Sequence, residues 1–499
     1  LTYKVAARVK DLGADELAAF TLMAEHWNGR CQPPWGLGDL REKVKNAFKY
    51  GQFQPAVSTP EVDFAVPFMN HERAKTVNEH PFDKLNQEYA FVIAGGGAHI
   101  LWETKDKDNN EKIEHLDIGA FKYKFAPQKM MVGKTERPIS NLWLEWKGRR
   151  SYDGLVFAPA QTVPERFYNL WRGFAYEPAP AGSTHQSVDA WINHNKTNVC
   201  GNDPALFRWL IGYFAHLVQR PWEKPLVALV IRGGKGVGKN AAIERVGALL
   251  GGHFLLTSNR RYLVGNFNGH LENCLLFALD EAFWSGDKQA EGTLKDLVTG
   301  KEHVIEHKGK EPYTVENKTR VVIIGNEDWL VPASHDERRF AVFDVGPARK
   351  QDLKYFSDMR EGMEQGGYPV LLRYLLDYDL TGIEVNQAPR THGLMEQKRH
   401  SMEPVQQWWF DCLTEGRIIG SEYAGWEAIV DCERFRSAFR RYVKERQIRS
   451  RIPDDGLFGR LIHQCAPGMT RKRKRDGEQF TRVYVVPDLI HSRAEWDVF

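Results

Sequence analysis

One stretch restricts the fold more than any other. A short β-branched run, Leu226–Ile231, leads into Arg232-Gly233-Gly234-Lys235-Gly236-Val237-Gly238-Lys239-Asn240. Beyond it Ile243, Val246, Leu249 and Leu250 recur on one helical face. Strand, glycine-rich turn and amphipathic helix in that order fit G-x-x-x-x-G-K, with Gly233, Gly238 and Lys239 at the defining places. Glycines let backbone N–H groups close around a phosphate with no Cβ in the way. Lys239 is placed to reach β/γ-phosphates, and the positive end of the helix dipole adds to the attraction. Residues 233–240 are therefore expected to hold ATP. Asn240 stands where Ser or Thr normally ligates Mg²⁺; an amide oxygen can take that role directly or through water, without the hydroxyl.

The downstream residues fit the same chemistry. An apolar run, Cys274–Leu279, ends in Asp280-Glu281, which puts two carboxylates at the carboxyl edge of a sheet. Asp280 is expected to hold Mg²⁺ with Asn240, and Glu281 to orient and activate the attacking water. Val321–Gly325 and Phe340–Phe343 read as further buried strands, so the region is an α/β pattern with a parallel sheet. Asn326 closes the first of these and is suited to positioning the γ-phosphate or the water. Arg338-Arg339 precede the second. One of them is expected to act as an arginine finger in a neighbouring subunit's ATP site, with Arg339 slightly favoured. Between carboxylates and Asn326, Val304–Val315 reads as a β-hairpin with Lys308, Gly309 and Lys310 at or near its tip. Taken alone that tip is a solvated turn; alternatively its cations meet a phosphate backbone.

The rest of the 499 residues divides by pattern into 1–57, a helical segment; 58–200, a mixed α+β segment; 201–350, the α/β region; 351–403, helical; and 404–499, helices followed by a hairpin over Arg471–Val486. In the first, Leu17, Phe20, Met23, Ala24 and Trp27 share a face, as do Leu40, Val44, Ala47 and Phe48. In the second, Trp143, Trp146, Arg149, Arg150, Tyr152, Tyr168 and Trp171 interleave aromatics with arginines, chiefly as core and ion-pair partners and secondarily as a base-stacking surface. Charged residues make up 27% and hydrophobic ones 42%, which excludes a disordered or collagen-like chain. No apolar run is long enough for a membrane span. The six cysteines form no C-x-x-C pair and read as reduced thiols of an intracellular protein; a zinc site from distant Cys and His is the minor alternative. The chain opens on Leu1-Thr2-Tyr3-Lys4 with no signal-peptide pattern and is expected to be part of a longer polypeptide. A net charge of +3 hides an uneven distribution: residues 434–475 carry 14 basic and 3 acidic residues, and the remainder sums to −8. That density, including Arg471, Lys472, Arg473, Lys474 and Arg475, points to nucleic-acid contact by the C-terminal region.

The phosphate loop, Asp280-Glu281, the Lys-bearing hairpin, Asn326 and Arg338-Arg339, in this order, resemble the superfamily 3 helicases of viruses and plasmids, within the AAA+ class. More loosely, Ala24-Glu25-His26-Trp27-Asn28 with Pro33-Pro34-Trp35, Tyr168–Phe174, Asp280-Glu281-Ala282 and Glu337–Phe340 make 10–410 similar to the helicase part of phage and prophage primase-polymerase–helicase proteins. The resemblance implies an α/β fold with an AAA+ P-loop ATPase core at 201–350. It implies a hexameric ring with ATP between subunits, and His307, Lys308 and Lys310 gripping single-stranded DNA in a central channel. It also implies 3′ to 5′ travel, separation of forked duplex, residence in a bacterial cytoplasm, and a primase-polymerase module upstream. The 58–200 segment is expected to be a middle or oligomerisation domain. The tail is similar to the winged-helix domain of poxvirus primase-helicases, with Arg471–Arg475 as a basic wing. Polymerase motifs are absent: Asp106/Asp108 and Asp377/Asp379 read as loop and helix end. Two rivals remain, a non-unwinding AAA+ DNA loader or nucleic-acid-sensing ATPase, and a binding protein with a degenerate ATP site.

Overall fold

The computed structural model describes residues 2–11, 14–31, 33–50, 82–105, 111–281, 288–309, 311–334, 337–422, 425–448, 452–476 and 479–498. Asp106, Asp108, Ala282, Lys310 and the whole of 51–81 lie outside them. The chain forms two compact units, Leu1–Glu79 and His80–Phe499.

Among its described residues the first unit has the α-helices α1 (Thr2–Asp11), α2 (Glu16–Leu22) and α3 (Leu37–Tyr50). The Asp15 carboxylate caps α2 by accepting from the Ala18 amide at 2.7 Å. The core holds Ala6, Ala19, Met23, Leu40, Val44 and Ala47. Of the expected stripe, Met23 is in the core and Phe20, Ala24 and Trp27 pack against it, but Leu17 is corrected: it is 67% exposed, and Ala19 is buried in its stead. A small side chain at Ala19 suits close packing, and a wide π turn at Met23–Trp27 interrupts the 3.6 period from which the stripe was read.

The second unit begins with β1 (Tyr89–Ala94), β2 (Gly97–Lys105), β3 (Glu111–Leu116) and β4 (Ser151–Tyr152), in the sheet order β3-β2-β1-β4. Gly95 and Gly96, with φ of +57° and +71°, make the two-residue turn between β1 and β2 that only residues tolerant of positive φ form readily. Several of the aromatic and arginine residues of this region are core and ion-pair partners. Trp143 is fully buried and donates its indole N–H to Asn86 at 2.9 Å. Arg150 and the Tyr168 hydroxyl both donate to Glu103, each at 2.6 Å, and Trp171 stacks on His253 at 4.6 Å.

Next come α4 (Gln186–His194) and α5 (Pro204–Gln219), then β5 (Ala228–Arg232), α6 (Lys239–Leu249), β6 (Phe254–Thr257), β7 (Leu276–Asp280), α7 (Lys288–Thr299), the hairpin β8 (Glu302–Ile305) and β9 (Tyr313–Glu316), β10 (Arg320–Gly325) and β11 (Phe340–Asp344). Five of these strands form a parallel sheet in the order β6-β7-β10-β5-β11. Ala228–Ile231, Leu276–Leu279, Val321–Ile324 and Phe340–Phe343 are buried, as strands covered on both faces must be. The first strand starts later than its apolar run: Leu226 has a φ of +58° and is half exposed. At the opposite end of the sheet from the loop, the buried Arg320 guanidinium donates to the carbonyls of His216 (3.2 Å), Arg220 (3.2 Å) and Glu223 (2.9 Å), satisfying the last turn of α5 and the loop after it. Burial holds its pKa down to about 10.

The helices α8 (Leu353–Gly362), α9 (Tyr368–Leu376) and α10 (His392–His400) follow. The C-terminal region comprises α11 (Pro404–Glu415), β12 (Ile429–Asp431), α12 (Cys432–Glu445), α13 (Asp455–Cys465), β13 (Thr470–Asp476), β14 (Gln479–Val485) and α14 (Leu489–Val498). Its antiparallel sheet has the order β12-β14-β13, over a core that includes Trp408, Trp409, Phe435, Phe439 and Phe458. Among the described residues no helix is long and apolar enough to cross a membrane.

Candidate functional site

The parallel register sets the site. Asp280 pairs with Ile324, and Gly325 with Arg232, so β5, β7 and β10 end at one edge. In an open α/β sheet this carboxyl edge is where ligands bind. Gly236 and Gly238 have φ of +75° and +90°, and left-handed residues in such a loop form an amide-lined nest for an anion. Gly238 is constrained twice, because a Cβ there would lie 2.4 Å from the Phe356 ring and 2.8 Å from His194. It also precedes α6 with no side-chain cap, leaving the first helical amides available to a ligand. Gly234, Lys235 and Gly236 are exposed, whereas Val237 anchors the loop in the core.

The buried Lys239 ammonium donates to the carbonyls of Gly233 (2.8 Å) and Gly234 (3.0 Å). Burial lowers its pKa, and Asp280 and Glu281 oppose that shift. The Asn240 amide donates to Asp280 Oδ2 at 2.9 Å, joining the two residues expected to share a cation. Glu281 holds its exposed carboxylate at the edge on a strained backbone with φ of +55°, while its amide donates to Ile324 at 2.9 Å. Asn326 follows directly after β10 and is half-buried. These oxygens and nitrogens fit a phosphate chain with a hard cation: glycine amides and an ammonium for the anion, and a carboxylate beside an amide for the metal.

Three residues to which the sequence assigned no role support this edge. His194, on α4, places its Nε2 3.1 Å from the Gly238 carbonyl, and burial lowers its pKa. The fully buried Gln397, on α10, accepts from the amides of Leu330 (2.6 Å) and Val331 (3.0 Å) and donates to the Asp328 carbonyl (2.7 Å). It thereby fixes the loop that leads from Asn326 toward Arg338. Glu337 is buried, and it accepts from the amides of Arg338 (3.0 Å) and Arg339 (2.8 Å). No local motif marked His194 or Gln397, which act on segments distant in the chain; Glu337 lies in the Glu337–Phe340 run, which gave it no role of its own.

The two arginines differ. Arg339 Nη1 is ion-paired with Glu337 at 3.0 Å, and its carbonyl accepts from the Ala228 amide at 2.7 Å. Arg338 is exposed, and its side chain has no ion pair among the described residues. Arg339 thus holds a buried carboxylate, whereas Arg338 faces outward.

The hairpin also needs correction. Lys308 and Gly309 are exposed at its turn, and Lys310 lies outside the described residues. His307 does not lie at the tip but beside Glu272. Its Nε2 is 3.3 Å from Glu272 Oε2 and 3.2 Å from the Tyr313 hydroxyl, and its ring lies 4.8 Å from that of His115. Tyr313 donates to the other oxygen of Glu272. Although burial opposes it, bonding from His115 and then His307 holds the Glu272 carboxyl at about 2.

In the C-terminal region Arg471 through Arg475 are all exposed along β13. The density of free charge is lower than the composition implies. Arg436 pairs with Glu433 (2.6 Å) and Asp455 (2.7 Å), and Arg440 pairs with Asp455 (3.1 Å).

A family model described as a family of unknown function, DUF5906, matches residues 231–339. No curated protein matches the chain. The fold is similar to that of a solved structure at low sequence identity. That structure is the apo C-terminal region of NrS-1, 15% identical, with a TM-score of 0.57 over 81% of this chain and 98% of that one. The A form of the same region gives 0.55 at 16% identity and the same coverage. A JCV helicase bound to a small molecule aligns at a TM-score of only 0.23 and 14% identity, over 46% of this chain and 71% of that one. The likeness to NrS-1 is one of fold.

Proposed function

We propose that this chain is an ATP- and Mg²⁺-dependent DNA helicase with an AAA+ core of the superfamily 3 type, acting as a hexameric ring in phage or prophage replication within the bacterial cytoplasm. The observation that carries this reading is the meeting, at one sheet edge, of the glycine loop with Lys239, the Asn240–Asp280 pair, Glu281 and Asn326. Amides of Gly233–Gly238 hold the phosphates of ATP. Lys239 exchanges the carbonyls of Gly233 and Gly234 for phosphate oxygens. Asn240 and Asp280 hold Mg²⁺, which supplies charge neutralisation on the phosphates. Glu281 orients the attacking water, and Asn326 positions it against the γ-phosphate. Arg338, exposed beside the buried Glu337, serves the neighbouring subunit's site, with Arg339 keeping Glu337 in place.

Hydrolysis then moves the hairpins, whose Lys308 and Lys310 draw single-stranded DNA through the channel in the 3′ to 5′ direction and open a forked duplex. In this reading the C-terminal region acts as a winged helix: α13 enters a groove, and β13–β14 serve as a wing whose exposed Arg471, Lys472, Arg473, Lys474 and Arg475 meet the backbone. A primase-polymerase module upstream is consistent with this role. The fold likeness to the NrS-1 C-terminal region supports the reading.

The test compares DNA-stimulated ATP turnover and fork unwinding for the wild type and Lys239→Ala. Loss of both in the variant is expected, and equal activity overturns the assignment. Turnover on DNA without strand separation by the wild type would favour the loader or sensor reading, and Mg²⁺-independent ATP binding without turnover would favour a degenerate site.

A further inference from the structure

We propose that His115, Glu272 and His307 form a zinc site that fastens the root of the β8–β9 hairpin to the first sheet. The three residues come from separate segments: His115 from β3, Glu272 from the stretch just before β7, and His307 from the start of the hairpin loop. Their ligand atoms all lie within 4.8 Å of one another. His115 Nε2 is 3.0 Å and His307 Nε2 3.3 Å from the same oxygen, Glu272 Oε2. Ligands bound at the ~2.0–2.2 Å typical of zinc, with angles between right and tetrahedral, lie about 3–3.5 Å apart. Both nitrogen–oxygen separations already have that length, so only the two imidazoles have to close on each other.

The chemistry of the surroundings agrees. Two imidazoles and one carboxylate suit Zn²⁺ and do not suit Mg²⁺ or Ca²⁺, which prefer all-oxygen sets. The second oxygen of Glu272 is occupied by the Tyr313 hydroxyl, which orients the carboxylate and leaves Oε2 free for an ion. Glu272 is 5% exposed, His115 11% and His307 22%, so the carboxylate is enclosed while the histidine side stays open for entry. Gly269 lets the His307 ring pack onto the backbone, since a Cβ there would lie 2.4 Å from that ring. Metal-free, both imidazoles must offer N–H to one carboxylate oxygen; with an ion both offer lone pairs, and the buried charge gains a counter-charge. No cysteine takes part, and the ligands are too scattered for any spacing motif.

The inference stands without the helicase reading, because zinc is measured with no nucleotide or DNA. The full chain is loaded with Zn²⁺, dialysed against metal-free buffer and analysed by elemental mass spectrometry, and the Co²⁺ form is examined for the visible absorption of an imidazole-ligated ion. The expected result is one zinc per wild-type chain, a visible Co²⁺ spectrum, and uptake near zero in His115→Gln/His307→Gln with an unchanged circular dichroism spectrum. Folded wild type that retains no zinc overturns the proposal whatever the variants do, as does equal uptake by the folded double variant. If the double variant does not fold, a competition titration of the wild type with a chromophoric chelator decides: binding weaker than millimolar rejects the site.

Discussion

The glycine loop at 233–240 and the cluster of His115, Glu272 and His307 both concentrate polar groups at partly buried places, and they do so by opposite means. The loop draws its groups from consecutive residues, and its conformation follows from local rules: two glycines at positive φ and a helix beginning at Lys239. The cluster draws on three segments that meet only when the hairpin docks beside the first sheet. A contiguous site is therefore legible from sequence and robust to the rest of the fold. An assembled one is invisible in sequence and reports on tertiary packing.

The sharpest test of that contrast falls on Arg338 and Arg339, where one motif holds two candidates and only packing distinguishes them. Arg338→Ala should lower ATP turnover by about 10³–10⁵, the range for loss of an arginine finger. Arg339→Ala should act mainly on stability by freeing the buried Glu337, read as a lower thermal midpoint. A larger turnover loss in Arg339→Ala at unchanged stability would reverse the assignment. Next in size, Lys239→Ala should reduce turnover on the order of 10²–10³ with little change in midpoint, as for loss of one charge-stabilising donor. A large stability loss would mean that its bonds to Gly233 and Gly234 hold the loop together.

Acid tests the assembled parts of the fold. His253 donates Nδ1–H to the Asn273 carbonyl at 2.8 Å and accepts from the Arg172 amide at Nε2 at 3.0 Å, so only the neutral ring fits. Its pKa is lowered to about 4, by burial foremost. Unfolded, the ring titrates near 6.5, so between the two values the unfolded chain binds the extra proton. This stabilisation is complete above pH 6.5 and lost as the pH falls toward 4, by about 3 kcal/mol. Denaturant midpoints between pH 7 and 4 should fall accordingly, and His253→Gln should flatten the profile; an unchanged slope would refute the linkage.

Tyr313→Phe should cost about 1–3 kcal/mol by leaving one Glu272 oxygen unpartnered, without altering basal ATP turnover. A change in turnover at constant stability would tie the cluster to the loop. The smallest effect is expected at the wing, where Lys472→Ala or Lys474→Ala should reduce the salt dependence of DNA binding by a slope of about 1 each. An unchanged slope would exclude β13 from the DNA interface.

Legibility followed the same divide. The strands were readable because a sheet covered on both faces needs continuous apolar runs, although Leu226 shows that such a run can begin before its strand. His307 was misread because proximity to a lysine-bearing tip says nothing of where an imidazole turns, and Glu272 lies 35 residues away. Charge counts also miss pairing: Glu433, just before the basic window, and Asp455 within it form ion pairs with Arg436 and Arg440 across turns of helix and between helices.

By itself the sequence determined the glycine loop, the carboxylates at a strand end and the regional imbalance of charge, since each depends on neighbours within a few residues. Only the tertiary structure decided which arginine stays exposed, that Gln397 and His194 brace the site, and that His307 faces Glu272 and His115. Those outcomes depend on burial and on partners brought together by long-range packing, which no local pattern encodes.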